Sequence, residues 1–155
     1  MVRFKNRYFV IEVNPDYKGI DNSLDLKASS LHNSILEIVQ KLHGDFGVAA
    51  IRAGFVTKYC NEMTRIAIIR VRHGPHRLVA SSLPFITKLE SKPIHLTTLY
   101  TGATMRHCFE YIKNHQSECL NKMYHNMKYT ATSEEVQQFQ MQFMDIKLLN
   151  FKQND

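Results

Sequence analysis

The stretch from Val48 to Arg72 reads VAAIRAGFVTKYCNEMTRIAIIRVR, and this stretch decides the fold. Residues 48–59 and Arg65–Val71 are two runs rich in β-branched and aromatic side chains, which is typical of strands. Asn61 and Glu62 lie between the two runs and can turn the chain back. Because a connection this short joins antiparallel strands, the stretch predicts an antiparallel hairpin.

A strand and a helix are predicted before the hairpin. Residues 8–13 read YFVIEV, which indicates a strand, and Asn14 and Pro15 after it are typical of a turn and a loop. Gly44 is then expected to end a helix whose apolar residues recur at helical spacing: Leu31, Ile35, Ile38 and Leu42.

A helix, a strand and another helix are predicted after the hairpin. Pro75 can open the first of these helices, and Pro84 is expected to kink or split it. The apolar stripe of this helix consists of Leu78, Val79, Leu83, Ile86 and Leu89. Residues 94–101 indicate a fourth strand. Thr104 can cap a third helix that carries on one side Cys108, Ile112, Cys119 and Met123.

The element order is therefore β-α-β-β-α-β followed by helices. This order predicts an α+β fold of the ferredoxin-like type, a two-layer sandwich with an antiparallel sheet, similar to the RNA-recognition motif. We predict one domain over residues 1–125, and a linker with an amphipathic helix over residues 126–155. The apolar stripe of that helix can pack on its own domain or dock on a partner. The stripe consists of Val136, Phe139, Phe143 and Ile146.

The composition is that of a soluble domain with an excess of positive charge. The chain has 155 residues and a formal net charge of +6, which favours a polyanionic partner. Most of the excess lies in residues 1–78, which carry twelve basic and seven acidic side chains. Three cysteines without CxxC spacing argue against a disulfide framework. The longest N-terminal apolar run is too short for a signal peptide or a membrane span, so we expect an intracellular protein without membrane contact.

Basic side chains around the hairpin are the strongest signal of function. Arg70 and Arg72 share one parity and can project together from the sheet, and Arg77 begins the next helix. Planar guanidinium groups suit phosphate. An RNA-recognition motif would place stacking aromatics on its third strand, which has none here, so Tyr8 and Phe9 are the only candidate stackers. The pattern favours contacts to the phosphates and shape of folded RNA, and an ordinary solvated face is the alternative.

Two further motifs give weaker signals. The turn over residues 102–106 leads into a helix whose backbone N–H groups and dipole favour an anion, although a plain capped turn fits the same residues. His73 and His76 lack a third metal ligand nearby, and Cys119 on the apolar stripe is expected to be a buried free thiol. The sequence has no Walker loop, HExxH or GxSxG motif, and it assembles no nucleophile with a base.

Five ordered stretches carry a family resemblance: residues 1–8 (MVRFKNRY), 43–47 (HGDFG), 59–64 (YCNEMT), 82–90 (SLPFITKLE) and 99–108 (LYTGATMRHC). They resemble the small "processing of precursors" proteins, of the subunit-five type, that eukaryotic ribonuclease P and ribonuclease MRP share. Two departures stand out. Ala103 occupies a position where the family usually has a second glycine, and the chain ends without the acidic tail of vertebrate members.

The resemblance implies a non-catalytic subunit that binds and stabilises a catalytic RNA, for 5′ maturation of precursor tRNA and for ribosomal RNA processing. It implies no cofactor on the protein itself, Mg²⁺ on the partner RNA, a barrel-folded subunit among the protein partners, and a place in the nucleus and nucleolus. Phe4 is expected to anchor a basic arm at the N-terminus. RNA contacts are expected from Arg3, Lys5, Arg7, Lys58, Arg70, Arg72, Arg77 and Arg106, and contacts to a protein partner from Val136, Phe139 and Phe143.

Two other functions stay open at this stage. A small acyl-phosphate hydrolase on the same fold would use Arg7 and Asn61 with a Gly-rich phosphate loop, but Asn14 and Pro15 occupy the place of that loop. A regulatory interaction domain would bind a metabolite or a partner through the edge of the sheet, and its basic arm would be incidental.

Overall fold

The computed structural model describes residues 4–16 and 26–126, and for residues 124–126 the backbone alone. The chain divides into two compact units, of which the first ends at Cys108 and the second begins at Phe109. The first unit holds the sheet and two helices. The predicted domain boundary after residue 125 stays a prediction, because residues 127–155, with Val136, Phe139 and Phe143, lie outside the described residues.

The secondary structure follows the predicted order with one additional short strand. A 3₁₀ turn over Leu83–Phe85 separates the second helix from that strand. In chain order the elements are β1 (Asn6–Pro15), α1 (Ala28–Arg52), β2 (Val56–Asn61), β3 (Ile66–Arg72), α2 (His76–Ser82), β4 (Lys88–Leu89), β5 (Lys92–Gly102) and α3 (Met105–Asn126).

The five strands form one sheet in the order β2-β3-β1-β5-β4, and all neighbouring strands are antiparallel. β1 therefore lies in the centre of the sheet, between β3 and β5, as the ferredoxin-like arrangement requires. The predicted fold class is confirmed. None of the described helices is long and apolar enough to cross a membrane.

The core lies between one face of the sheet and the helices α1 and α2. Phe9 is paired with Ile69 and Ile11 with Ala67, so these buried side chains share one face. Full burial of an aliphatic or aromatic side chain contributes about 1.5–3 kcal/mol, so this cluster supplies most of the stability. The helices add to the same cluster Leu31, Ile35, Val39, Ile51 and Val79.

The other face of the sheet is also buried at its centre. Val10 and Ile68 are 0% exposed and Ile66 is 2% exposed, although all three point away from the core cluster. The middle of this face is therefore not an open platform for bases.

The first helix differs from the prediction at Gly44. This residue has φ +63° and ψ −162°, so it kinks the helix, but helical structure resumes and continues to Arg52. The prediction of a strand from residue 48 is therefore wrong. Gly47 and Ile51 recur at helical spacing and are buried, and Ala49 and Ala50 between them have high helix propensity. The second strand is shorter than predicted and begins at Val56.

The segment around Pro84 confirms one prediction and corrects another. α2 ends at Ser82 and Pro84 lies in the 3₁₀ turn, so the proline splits the predicted helix. Leu89 is buried as predicted, but in the short strand β4 and not in a helix. Glu90, with φ +56°, then turns the chain into β5, which extends the predicted fourth strand at both ends.

The third helix is confirmed, but Cys119 is exposed, so its prediction as a buried thiol is wrong. In the described part of the second unit the buried side chains are Ile112 and Leu120. Their spacing of eight residues defines one helix face, and Cys119 lies outside it. The Thr104 Oγ1 atom accepts a hydrogen bond from the His107 backbone N–H at 3.4 Å, which agrees with the predicted cap.

Candidate nucleic-acid interface

One end of the sheet brings together the ends of seven elements. Tyr8 in β1 is paired with Arg70 in β3 and with Gly102 in β5, and Val56 in β2 is paired with Arg70 as well. β1 and β2 therefore begin where β3 and β5 end. α1 ends directly before β2, while α2 and α3 begin directly after β3 and β5. We call this surface the basic end; it comprises residues 4–8, 52–56, 70–78 and 100–108.

The basic end carries seven lysine and arginine residues and no aspartate or glutamate. Seven positive charges exceed the +6 of the whole chain, so the remaining residues sum to −1. The entire positive excess of the protein is therefore located at one end of the sheet. The seven residues are Lys5, Arg7, Arg52, Arg70, Arg72, Arg77 and Arg106.

Arg70 and Arg72 occupy the face of the sheet that points away from the core cluster. Val71 between them is buried in that cluster, so the two arginines project together, as predicted. The Arg72 guanidinium carbon lies 4.3 Å from the centroid of the Phe4 ring. The Arg70 Nε atom is buried and has no hydrogen-bond partner among the described residues. A buried donor without a partner costs about 1–3 kcal/mol, so an external acceptor would be favourable here.

The opposite side of the basic end holds a histidine pair between two arginines. The rings of His73 and His76 stack with centroids 5.1 Å apart, and the Gly74 N–H donates to His76 Nδ1 at 3.1 Å. Partial burial, followed by the positive charges of His73, Arg7 and Arg77, lowers the pKa of His76 below 6.5. These groups are therefore close enough to repel one another, and a bound anion would relieve the repulsion.

The helix starts at the basic end lack the usual acidic residues. Neither α2 nor α3 has an acidic residue in its first turn, where each carries an arginine, Arg77 and Arg106 respectively. A cation beside the positive end of a helix dipole is unfavourable by about 0.3–1 kcal/mol. The arrangement is disadvantageous for the isolated fold and becomes favourable when polyanionic phosphate covers this end.

The cations of the basic end are largely without carboxylate partners. Among the described residues no ion pair involves Lys5, Arg7, Arg52, Arg70, Arg72 or Arg77. Away from this end, by contrast, Lys41 Nζ lies 2.6 Å from Glu37 Oε1. Three of these cations are exposed and three are half-buried, and an external anion can meet them without breaking an ion pair between described residues.

The opposite end of the sheet carries charges of both signs. Its acidic side chains include Glu12 on β1 and Glu62 in the hairpin turn. A groove of about 450 Å³ between α1 and β4, outside the basic end, is lined by Glu37, Lys41, Lys88 and Glu90. This mixed surface does not attract a polyanion. The two ends of the molecule therefore differ in chemistry.

Six of the eight predicted RNA-contacting residues lie together at the basic end: Lys5, Arg7, Arg70, Arg72, Arg77 and Arg106. Lys58 lies apart, exposed on the edge strand β2 at a register shift between Thr57 and Tyr59. Arg3 lies outside the described residues. The contacts of these residues with RNA stay a prediction.

One residue of the basic end is missed by sequence reasoning. Arg52 is predicted on a strand, whereas it ends α1 and joins the other cations. The side chain of Phe4 is 71% exposed and contacts Arg72, and its role as an anchor of the N-terminal arm stays a prediction. The signal for Arg52 was the helical spacing of Gly47 and Ile51, which continues α1 past Gly44.

The turn at Gly102 has a packing role. A Cβ atom on Gly102 would lie 2.8 Å from Tyr100 Cε1 and 3.1 Å from Cys108 Sγ, so a larger residue does not fit. Burial raises the pKa of the Cys108 thiol to about 11, which keeps it protonated. Close packing thus accounts for this glycine, and anion binding at the turn remains a prediction.

The residues of the hydrolase alternative are not brought together. Arg7 is paired with Val71 at the basic end, whereas Asn61 is paired with Ile66 at the other end of β3. Five residues of strand separate these positions by roughly 16 Å. The Asn61 Oδ1 atom accepts hydrogen bonds from two backbone N–H groups of the hairpin turn. Within the described residues, no group of three or more His, Cys, Asp or Glu side chains could hold a metal ion.

Comparisons with known proteins match most of the chain. The model of the Rpp14/Pop5 family matches residues 7–113. Two similar proteins are named "Ribonuclease P/MRP protein subunit POP5". The one from Bos taurus is 40% identical over 116 residues, covering 72% of this chain and 67% of the relative. The one from Homo sapiens is 39% identical over 116 residues, covering 72% and 70%.

More distant similarity extends over nearly the whole chain. The "Probable ribonuclease P/MRP protein subunit POP5" of Arabidopsis thaliana is 26% identical over 153 residues, covering 96% of this chain and 99% of the relative. A chain in the "Cryo-EM structure of yeast Ribonuclease MRP" superimposes with a TM-score of 0.52 at 13% identity, covering 77% of this chain and 97% of that chain. The structural similarity is one of fold.

Proposed function

This chain belongs to the Rpp14/Pop5 family, and we propose that it is a protein subunit of ribonuclease P and ribonuclease MRP that binds their RNA through the basic end. In this role it supports 5′ maturation of precursor tRNA and processing of ribosomal RNA, in the nucleus and nucleolus. The RNA and its Mg²⁺ carry out cleavage, and the protein contributes binding and structural support.

The mechanism is electrostatic. Folding a large RNA brings phosphates close together, and their repulsion opposes the compact form. Fixed guanidinium groups placed between them replace diffuse counterions, whose release favours association. Arg70 and Arg72 on one side of the basic end, and Arg7 and Arg77 on the other, present cations in two directions. The basic end can therefore contact two neighbouring phosphate backbones.

The observation that carries the proposal is the concentration of the whole positive excess at one end of the sheet, in segments without a carboxylate. Scattered lysines on a solvated surface would give a similar net charge, but they would be interspersed with acidic residues. The cations of the basic end have no acidic residues among them. The chemistry fits an extended polyanion better than a single small anion, because six of the seven cations come from five different elements and Lys5 lies directly before β1.

The test uses the full chain, tagged and expressed in cells. We expect the wild-type protein to recover the RNAs of ribonuclease P and ribonuclease MRP, identified by sequencing. The double variant Arg7→Glu/Arg77→Glu should lose these RNAs, because it places two negative charges at the basic end.

Its matched control is Lys41→Glu/Lys88→Glu, which makes the same change in charge in the groove outside the basic end and should keep both RNAs. Recovery of unrelated messenger RNA alone by the wild-type protein would contradict the proposal. Equal loss of RNA by the two double variants would show that the basic end has no special role.

A second surface fits the protein subunits of the same particle, among which we expect a barrel-folded one. Phe46 on α1 is 80% exposed, Leu42 is 45% exposed, and Phe85 after α2 is 59% exposed. A hydrogen bond of 3.0 Å between His43 Nε2 and Ser81 Oγ fixes α1 against α2. Exposed large apolar side chains on this helical layer suit a protein partner. The variant Phe46→Ser should lose a protein that co-purifies with the wild-type chain. It should still recover both RNAs, because the basic end is unchanged.

A further inference from the structure

Phe4 is the exposed aromatic residue of the basic end. Its side chain is 71% exposed, whereas Phe9 and Phe55 are buried at 2% and 4%. The backbone around Phe4 is held in place, because the His73 N–H donates to the carbonyl oxygen of Lys5 at 2.7 Å. A large apolar ring is thus presented to solvent from an ordered position among cations.

Arg72 covers one face of the Phe4 ring. The guanidinium carbon lies 4.3 Å from the ring centroid, which is a cation–π contact. Gly54 makes room for this arrangement, since a Cβ atom there would lie 2.5 Å from Arg72 Cγ and 3.2 Å from Nε. The Arg72 side chain therefore packs against Gly54 on one side and against the Phe4 ring on the other. With one face on Arg72 and most of the ring exposed, the other face of Phe4 is open.

We propose that the open face of Phe4 stacks on an unpaired nucleobase of the bound RNA, while Arg72 and Lys5 contact the adjoining phosphates. This inference rests on the proposed RNA-binding function and adds a contact to a base. An aromatic ring stacks on any nucleobase, and such contacts are tolerant of sequence. A base inside a continuous helix has both faces covered by its neighbours, so the ligand must be a bulged or single-stranded nucleotide.

The test compares two synthetic RNAs. One is a continuous duplex, and the other is the same duplex with a single bulged 2-aminopurine, whose fluorescence falls when it stacks. We expect the wild-type protein to bind the bulged RNA about tenfold more tightly than the duplex, and to quench the probe. Phe4→Leu should abolish the preference and the quenching without changing the salt dependence, whereas Phe4→Tyr should keep both.

His95→Leu is the matched control, because it removes an exposed ring on β5 outside the basic end. Equal wild-type affinity for the two RNAs, or quenching that survives in Phe4→Leu, would overturn the stacking contact and leave the proposed function standing. A weaker salt dependence in Phe4→Leu would also overturn it, since Phe4 would then act only by positioning Arg72. Absence of binding to both RNAs would overturn the proposed function together with the inference.

Discussion

Replacing Arg7 and Arg77 by glutamine should weaken RNA binding by a predictable amount. The two residues flank His76, and neither forms an ion pair with a described residue. Arg7 donates only to the neighbouring Asn6 carbonyl at 3.3 Å, and Arg77 is exposed. Glutamine removes the charge but keeps much of the stem, so the fold should be unaffected.

The magnitude follows from counterion release. Each phosphate contact contributes roughly 0.7–0.9 to the slope of log affinity against log salt. Loss of two contacts should make the slope shallower by about 1.4–1.8, and near 0.15 M salt each lost contact should weaken binding about 3.8- to 5.5-fold. The double variant should therefore bind about 15- to 30-fold more weakly. Seven contacts would give the wild-type protein a slope of roughly −5 to −6.

The assay is fluorescence anisotropy with a labelled transcript of the RNA that co-purifies with the protein, titrated between roughly 0.05 and 0.2 M salt. Lys41→Gln/Lys88→Gln removes the same charge from the groove outside the basic end and should leave the slope unchanged. If the salt slope of the control variant becomes as shallow as that of Arg7→Gln/Arg77→Gln, then net charge and not the basic end governs binding. If the salt slope of Arg7→Gln/Arg77→Gln equals that of the wild-type protein, the assignment of phosphate contacts to these two residues is refuted.

Three further outcomes are expected. Gly44→Ala should lower the free energy of unfolding in urea by about 1–3 kcal/mol, because φ +63° with ψ −162° is nearly restricted to glycine; an unchanged midpoint would contradict the kink. Iodoacetamide near neutral pH should label the exposed Cys119 first, since the thiols of Cys60 and Cys108 have pKa values raised to about 11; mass spectrometry that finds equal labelling would contradict their burial. The lowered pKa of His76 means that the unfolded chain binds more protons below pH 6.5, so this residue's contribution to stability is complete above pH 6.5 and is lost as the pH falls. In urea unfolding on both sides of pH 6.5, the free energy of unfolding should fall less in His76→Gln than in the wild-type protein as the pH is lowered. An equal fall in the two proteins would refute the role of His76.

The hairpin could be predicted from sequence because its information is local. Alternation along β3 decides which side chains point to the core, so the shared orientation of Arg70 and Arg72 follows from parity alone. Turn residues between two β-rich runs decide the pairing partner. For the same reason the Pro84 split was predictable, since proline acts through its own ring and missing N–H. The sheet order then followed from the element order.

Tertiary context decided the features that sequence reasoning missed. The segment VAAIR has both β-branched and helix-favouring residues, and the burial of Ile51 in the core selects the helix that brings Arg52 to the basic end. Phe4 is apolar, and hydrophobicity alone assigns it to the core. Only the position of Arg72 and the space over Gly54 show that the ring is held outside.

The position of the charges also explains how this fold accommodates them. Both faces of the sheet are buried at its centre, around Ile11 and Ile69 on one side and Val10 and Ile68 on the other, so the centre of the sheet has no room for cations. Gathering them at one end destabilises the isolated protein through mutual repulsion and the unfavourable helix dipoles. RNA bound at this end, as proposed, would remove both penalties, and a ligand that binds only the folded state stabilises it by about 2.7 kcal/mol at a concentration 100 times the Kd. On this proposal, the cations that make the free chain less stable make its stability depend on its ligand.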